Sequence, residues 1–151
     1  MKSAILECVV DTTVLQKANA PITDAKKQGK LFRQRLAVLN AINGSKLIAL
    51  FSERLMQEYR EHVHEPRNLV VTEFLNLISS PRPGKALKNY KTPWSGQDRS
   101  NVKMCRFPSH DVHVLRTAVR PNRTLLITED GPMLKSADCI LRRFDVKITE
   151  P

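Results

Sequence analysis

No apolar run in this chain approaches the roughly 18 residues of a membrane-crossing helix, so no membrane partner is expected. Cysteine is sparse: Cys8, Cys105 and Cys139 stand far apart with no CxxC pair. Neither a zinc knuckle nor a disulfide framework is indicated, and Cys8 and Cys139, set in apolar patterns, read as buried thiols. There is no internal repeat and no low-complexity tract. The start, Met1-Lys2-Ser3 and a short apolar run, resembles a secretory leader only superficially, because Glu7 interrupts the run and Asp11 closes it. A cytoplasmic protein is expected. Acids are the minority charge, with 15 Asp and Glu against 25 Lys and Arg, a formal charge of +10 and a pI near 9.9. A surface of that sign attracts polyanions, nucleic acid foremost; an acidic protein partner would satisfy it equally.

What is present suits a single α/β domain over residues 1–151, long enough to bury about 70% of the surface its unfolded form exposes. Ala4 to Val10, rich in β-branched residues, reads as a buried strand of a parallel sheet. A polar stretch runs to about Lys30, broken by Pro21 and Gly29. Leu31, Phe32, Leu36, Leu39 and Ile42 then recur at helical spacing up to the Asn43-Gly44-Ser45 stop. Leu47 to Phe51 reads as a second strand. Ser52 is a good N-cap for a helix from Glu53 to about His64, with Leu55, Tyr59 and Val63 as its apolar stripe. Leu69 to Ile78 predicts another helix. From Ser109 a helical stripe (Val112, Leu115, Val119) runs to Pro121, with Ser109 as its expected cap. Thr124 to Thr128 is an apolar strand ending in Glu129-Asp130-Gly131. A helix over Pro132 to Leu141 and a strand over Asp145 to Thr149 close the chain. This order predicts a mainly parallel sheet flanked by helices.

Ser79 to Pro108 breaks the pattern. Pro81, Pro83, Pro93 and Pro108, with Gly84 and Gly96, argue against a long regular element. Seven Lys or Arg accompany one acid, Asp98, and Tyr90 and Trp94 lie among them. Basic residues interleaved with aromatics suit a phosphate backbone with stacked bases. On that reading Lys85, Lys88, Lys91, Trp94, Arg99, Lys103 and Arg106 contact RNA. A solvated loop with one anchoring Trp is the competing reading.

Four acids carry candidate chemistry. An Asp ending a buried strand is costly without a partner, and ligands of open α/β sheets bind at strand carboxyl ends. Asp11 holds that place, although a turn or helix cap would also use an Asp there. Asp130 holds the equivalent place after its own strand. Neighbouring parallel strands lie under about 5 Å apart, so the two could share an ion. Asp111 sits in a first helical turn, where the helix dipole also favours an anion. Glu58 lies at the edge of the Leu55–Tyr59 stripe, where Arg54, Glu58 and His62 could equally form a solvent-facing ion-pair ladder. Glu53 serves the N-terminus of that helix. His62, His64, His110 and His113 are surface histidines on this reading, with His110 and His113 flanking Asp111. Carboxylates without nearby thiols suit a hard ion, Mg²⁺ or Mn²⁺.

The segments VVDTTVL, SERLMQEYREHV, HDVHVLRTAV and LLITED, in this order, resemble those of the PIN-domain ribonucleases, a family that includes VapC-type toxins and RNA-processing factors. The resemblance spans essentially the whole chain. It implies a three-layer α/β/α Rossmann-like fold and Mg²⁺- or Mn²⁺-dependent endoribonuclease activity on single-stranded RNA, leaving a 5′-phosphate and a 3′-hydroxyl. Asp11, Glu58, Asp111 and Asp130 match its acidic cluster, catalytic and metal-binding. Thr12 and Thr128 match its hydroxyl-bearing positions beside the substrate. A homodimer and an acidic antitoxin or regulatory partner follow by the same analogy. The chain departs from the pattern at Thr13, where the family usually has Asn, and at Ser109-His110, where many members carry a further acid. The alternative is a catalytically weak or inactive RNA-binding or scaffold protein on the same fold.

Overall fold

The computed structural model describes residues 5–22 and 25–151. Met1 to Ala4, including the start of the first expected strand and the residues weighed as a leader, lie outside them, as do Thr23 and Asp24 of the polar stretch. The elements run β1 (Glu7–Val10), α1 (Thr12–Ala18), α2 (Ala25–Asn43), β2 (Ile48–Phe51), α3 (Glu53–His62), α4 (Leu69–Ser79), β3 (Ala86–Lys88), α5 (Gly96–Met104), a 3-10 turn (Ser109–Asp111), α6 (Val112–Ala118), β4 (Thr124–Ile127), α7 (Gly131–Lys135), α8 (Ala137–Phe144) and β5 (Val146–Thr149). The five strands form one all-parallel sheet in the order β3-β2-β1-β4-β5. With helices around it, this is a mixed α/β architecture of the three-layer Rossmann-like kind. None of the described helices is long and apolar enough to cross a membrane.

β1 is central because its residues tolerate burial on both faces: Cys8, Val9 and Val10 are essentially inaccessible. Burial pushes the Cys8 thiol up to about 12, which makes it a packing group rather than a nucleophile. Helix α6 lies against β1, β2 and β4, and α8 against β5. Tyr59 of α3 packs edge-on against Phe74 of α4 with ring centroids 5.6 Å apart. Its hydroxyl donates to the carbonyl of Val10, which ties α3 to the end of β1 next to Asp11. Asn68 caps α4 and also donates to the carbonyls of Ala18 and Ala20, holding the end of α1.

The polar stretch after Asp11 is helical over Thr12–Ala18 and again from Ala25, regularity that the sequence reading did not assign. Val14, Leu15 and Ala18 of α1 are buried, a three-point stripe too short to stand out from the flanking polar residues. Gly29 breaks α2 with a φ of 81°.

Ser79 to Pro108 is also more ordered than its prolines suggest. Ala86–Lys88 adds an edge strand, and Gly96–Met104 forms a helix opened by a reciprocal capping box between Ser95 and Asp98. Asn89 donates to the carbonyls of Thr117 and Val119, and Arg116 to that of Lys91. The segment is thereby stitched to α6.

The cysteine reading needs correction. Cys105 and Cys139 form a disulfide joining the end of α5 to α8, and only Cys8 is free. Spacing hid the pair because 34 residues separate its members and only the docking of α5 on α8 brings them together. Such bonds are rare in reducing compartments, which sets this pair against the cytoplasmic expectation. Reduction is expected to remove about 3–4 kcal/mol for a loop of this length, lowering the melting temperature by roughly 10 °C. Calorimetry with and without reductant measures it, and coincident transitions would show that the bond adds no stability.

Candidate active site

Strand order reverses beside β1: β2 and β3 continue to one side, β4 and β5 to the other. That switch point is where open parallel sheets form a crevice at their carboxyl edge. β1 and β4 are direct neighbours there, Val10 facing Ile127 in register. Asp11, Glu58, Asp111 and Asp130 all line a single cleft of about 260 Å³ at this edge, together with Thr12, Thr13, Gln16, His62, His110 and Met133.

Each acid is held differently. Asp11 occupies the N-cap position of α1 but makes no side-chain capping bond. Its backbone amide donates to the carbonyl of Ile127, and Oδ2 accepts the hydroxyl of Thr128 at 2.7 Å. Asp130 does cap, accepting the Met133 amide on Oδ2 at 3.0 Å, while its own amide donates to Thr128. Asp111 ends the 3-10 turn and makes no capping bond; Ser109 is not the cap of α6. Oδ2 of Asp111 lies 3.2 Å from Nε2 of His110. Glu58 has both oxygens engaged, Oε2 by the Thr12 hydroxyl at 3.2 Å and Oε1 by the His113 ring at 2.7 Å. The His113 contact is close, although the ring N–H is out of line for a directed hydrogen bond. Among the described residues Glu58 pairs with neither Arg54 nor His62, so the solvent-facing ladder does not form.

Glu129 explains why its neighbour reaches the cleft. The Arg35 guanidinium of α2 grips both Glu129 oxygens, at 2.8 and 2.7 Å. Those bonds, against a burial penalty, hold its carboxyl below the usual range. With Glu129 drawn to α2, Asp130 follows on the cleft side of the turn.

Asp11 and Asp111 hold protons more tightly than free carboxyls. Burial is the main cause for Asp11, with Asp130 and Glu58 adding to it and the Thr128 bond opposing. Asp111 is pushed up to about 6 by burial and by Asp11, Asp130 and Glu58, against the pull of His110. His113 is 3% exposed, not the surface histidine expected. Burial disfavours its imidazolium and Glu58 favours it, with a net lowering. Its place one turn before Thr117, another buried polar residue on α6, was the available signal. Gln16 was missed with the helix that carries it.

The donor set facing the cleft is oxygen-rich, as Mg²⁺ or Mn²⁺ prefers, and mutual repulsion among its acids is what a bound cation would relieve. Among the described residues, however, no three carboxylate, imidazole or thiol groups are already disposed to hold a metal ion as the side chains stand. Asp111 and Asp130 each keep one oxygen with no polar contact among the described residues, whereas both Glu58 oxygens lie against neighbours, Thr12 and His113. Asp11, Asp111 and Asp130 therefore fit a metal-holding role better than Glu58.

The basic residues of 79–108 are distributed otherwise. Lys88 pairs with Glu53 at 3.0 Å, Lys91 with Asp98 at 2.8 Å, and Lys85 donates to the Asn43 carbonyl. Arg99 donates to the Trp94 carbonyl. Trp94 is half-buried and stacked on Phe144, with rings 5.6 Å apart and nearly parallel, so its ring is a packing anchor. Lys103 and Arg106 are exposed.

Fold and site together define a parallel α/β protein with an acidic cleft at its topological switch point. Comparison with known proteins returned no matching family model, no matching curated protein and no matching solved structure.

The raised Asp111 carboxyl fixes a sign. Between its ordinary value of 3.8 and about 6, the folded chain holds a proton that the unfolded chain has released. Stability on this account is present at low pH and falls as pH rises through that window. Asp111→Asn removes the penalty, so the variant is expected to melt several degrees above the parent at pH 7.5, the gap closing near pH 4. Equal melting temperatures at pH 7.5 would contradict the assigned repulsion.

Proposed function

We propose that this chain is a metal-dependent endoribonuclease of the PIN type, cleaving single-stranded RNA. The supporting observation is the gathering of Asp11, Glu58, Asp111 and Asp130, scattered along the sequence, into one cleft. A cleft that crowds acids at mutual cost suits a compensating cation, and the basic surface of a protein of formal charge +10 attracts a polyanion.

In this reading Asp11, Asp111 and Asp130 hold Mg²⁺ or Mn²⁺. A divalent ion so bound supplies an activated water and neutralises charge on the phosphodiester under attack. Thr128 fixes the rotamer of Asp11 through the hydrogen bond to Oδ2. Glu58, braced between Thr12 and His113, orients the water rather than binding the ion. Release of the Asp111 proton is required before that carboxylate can ligate, so cation affinity rises as pH passes about 6.

A second reading, an RNA-binding protein on this fold without strong catalysis, is favoured by two observations. Both Glu58 oxygens are engaged, and the described acids are not drawn to a common point.

The test is cleavage of an end-labelled, unstructured RNA oligonucleotide. Cleavage is expected with Mn²⁺ or Mg²⁺, is abolished by chelator, and climbs between pH 5 and 7. Thr128→Val, which loosens Asp11 without removing it, is expected to lose roughly 10- to 100-fold, the usual worth of a residue orienting a metal ligand. Asp11→Asn should lose more. Binding without cleavage in every divalent ion selects the second reading, and undiminished cleavage by Asp11→Asn removes the assigned site.

A further inference from the structure

The carboxyl edge of the sheet carries a second feature, two strands away from Asp11. Tyr90 follows β3 and keeps 37% of its surface exposed. The Arg116 guanidinium lies 4.1 Å from its ring centroid. Arg116 is itself fixed by two hydrogen bonds to the Lys91 carbonyl, so the ring rests on a preorganised support. Beside Tyr90 is a hollow of about 280 Å³, lined also by Ser52, Glu53, Arg54 and Lys88. This hollow and the acidic cleft both border α3. Arg54 borders both it and a polar hollow shared with Glu58, and Glu58 belongs to the cleft.

We propose that Tyr90 is a base-stacking platform for the RNA strand as it leaves the acidic cleft, with Lys88 and Arg54 contacting its backbone. The proposal rests on the nuclease reading for the presence of a strand in the cleft, and it adds Tyr90 and Arg54, to which that reading gave no role. A half-exposed aromatic ring beside basic side chains is how sequence-tolerant sites hold single strands. The ends of β1 and β3 are two inter-strand spacings apart, about 10 Å, a short reach along an extended strand. Lys88 is exposed, as is its partner Glu53; such a surface pair is weak and yields to a phosphate. Trp94, by contrast, is spent on Phe144, which leaves Tyr90 as the aromatic available in this segment.

The test is fluorescence anisotropy of a labelled single-stranded 10-nucleotide RNA in chelator, where no cleavage occurs. Tyr90→Ala is expected to weaken binding roughly 10-fold, the order of one stacked base, with its salt dependence unchanged. Tyr90→Phe stays within about twofold, because the π-face is kept. Lys88→Ala lowers the salt slope by about one. An abasic position walked along the RNA should weaken binding to the parent at one site and have no such effect on Tyr90→Ala. If Tyr90→Ala does not melt cooperatively, Tyr90→Leu, which fills space without a π-face, takes its place. Unchanged binding by Tyr90→Ala and Tyr90→Leu, or an abasic penalty that persists in them, overturns the platform. Mn²⁺-dependent cleavage with Tyr90-independent binding overturns the platform and leaves the nuclease reading standing. Tyr90-dependent binding without cleavage does the reverse.

Discussion

A buried hydroxyl and a buried carboxylate meet where the two central strands end. Thr128 Oγ1 donates to Asp11 Oδ2 at 2.7 Å, and the Asp11 amide donates to the Ile127 carbonyl. Both groups are almost fully enclosed. An acid in that position would be severely destabilising without a partner, and the parallel pairing of β1 with β4 supplies one. The same hydroxyl accepts the Asp130 amide, so one side chain fixes the first acid and the turn that presents the last. The geometry of the cleft depends on this junction more than on any single helix.

Around the junction the protein tolerates electrostatic strain. Asp11 and Asp111 are both held protonated more readily than free carboxyls, by burial first and then by neighbouring acids, Asp130 and Glu58 for Asp11 and these two with Asp11 for Asp111. Elsewhere several acids are paired: Glu129 with Arg35, Asp98 with Lys91, Glu7 with Arg120 and Asp145 with Arg123. Acids crowded into one concave place, in an otherwise strongly basic molecule, are the pattern of a site shaped by ligand chemistry rather than stability.

The segment 79–108 shows how secondary interactions override local propensity. Its prolines and glycines do prevent a long element, yet the short pieces between them are recruited. β3 borrows hydrogen bonds from β2, Asn89 and Lys91 bind the backbone of α6, and the Cys105–Cys139 bond anchors the far end. Most of its cations are consequently committed to intramolecular partners. The exposed aromatic is Tyr90 rather than the larger Trp94.

Apolar periodicity was enough to announce four of the five strands, the α3 and α4 stripes and the parallel α/β class, because buried strands and amphipathic helices write their burial into residue order. Asp11 and Asp130 were legible as strand-end acids for the same reason. The helix after Asp11 was not, since three small or aliphatic residues make too faint a stripe; nor was β3, which exists only by pairing with β2. Which way each acid turns depended on partners far away in the chain: Thr128 for Asp11, Arg35 for Glu129, His113 and Thr12 for Glu58. The disulfide and the Tyr90–Arg116 stack belong to the same category. Residue order alone determined what would be buried; only the folded chain decided which polar groups would meet there, because those meetings join residues from 25 to more than 100 positions apart, and linear spacing carries no trace of them.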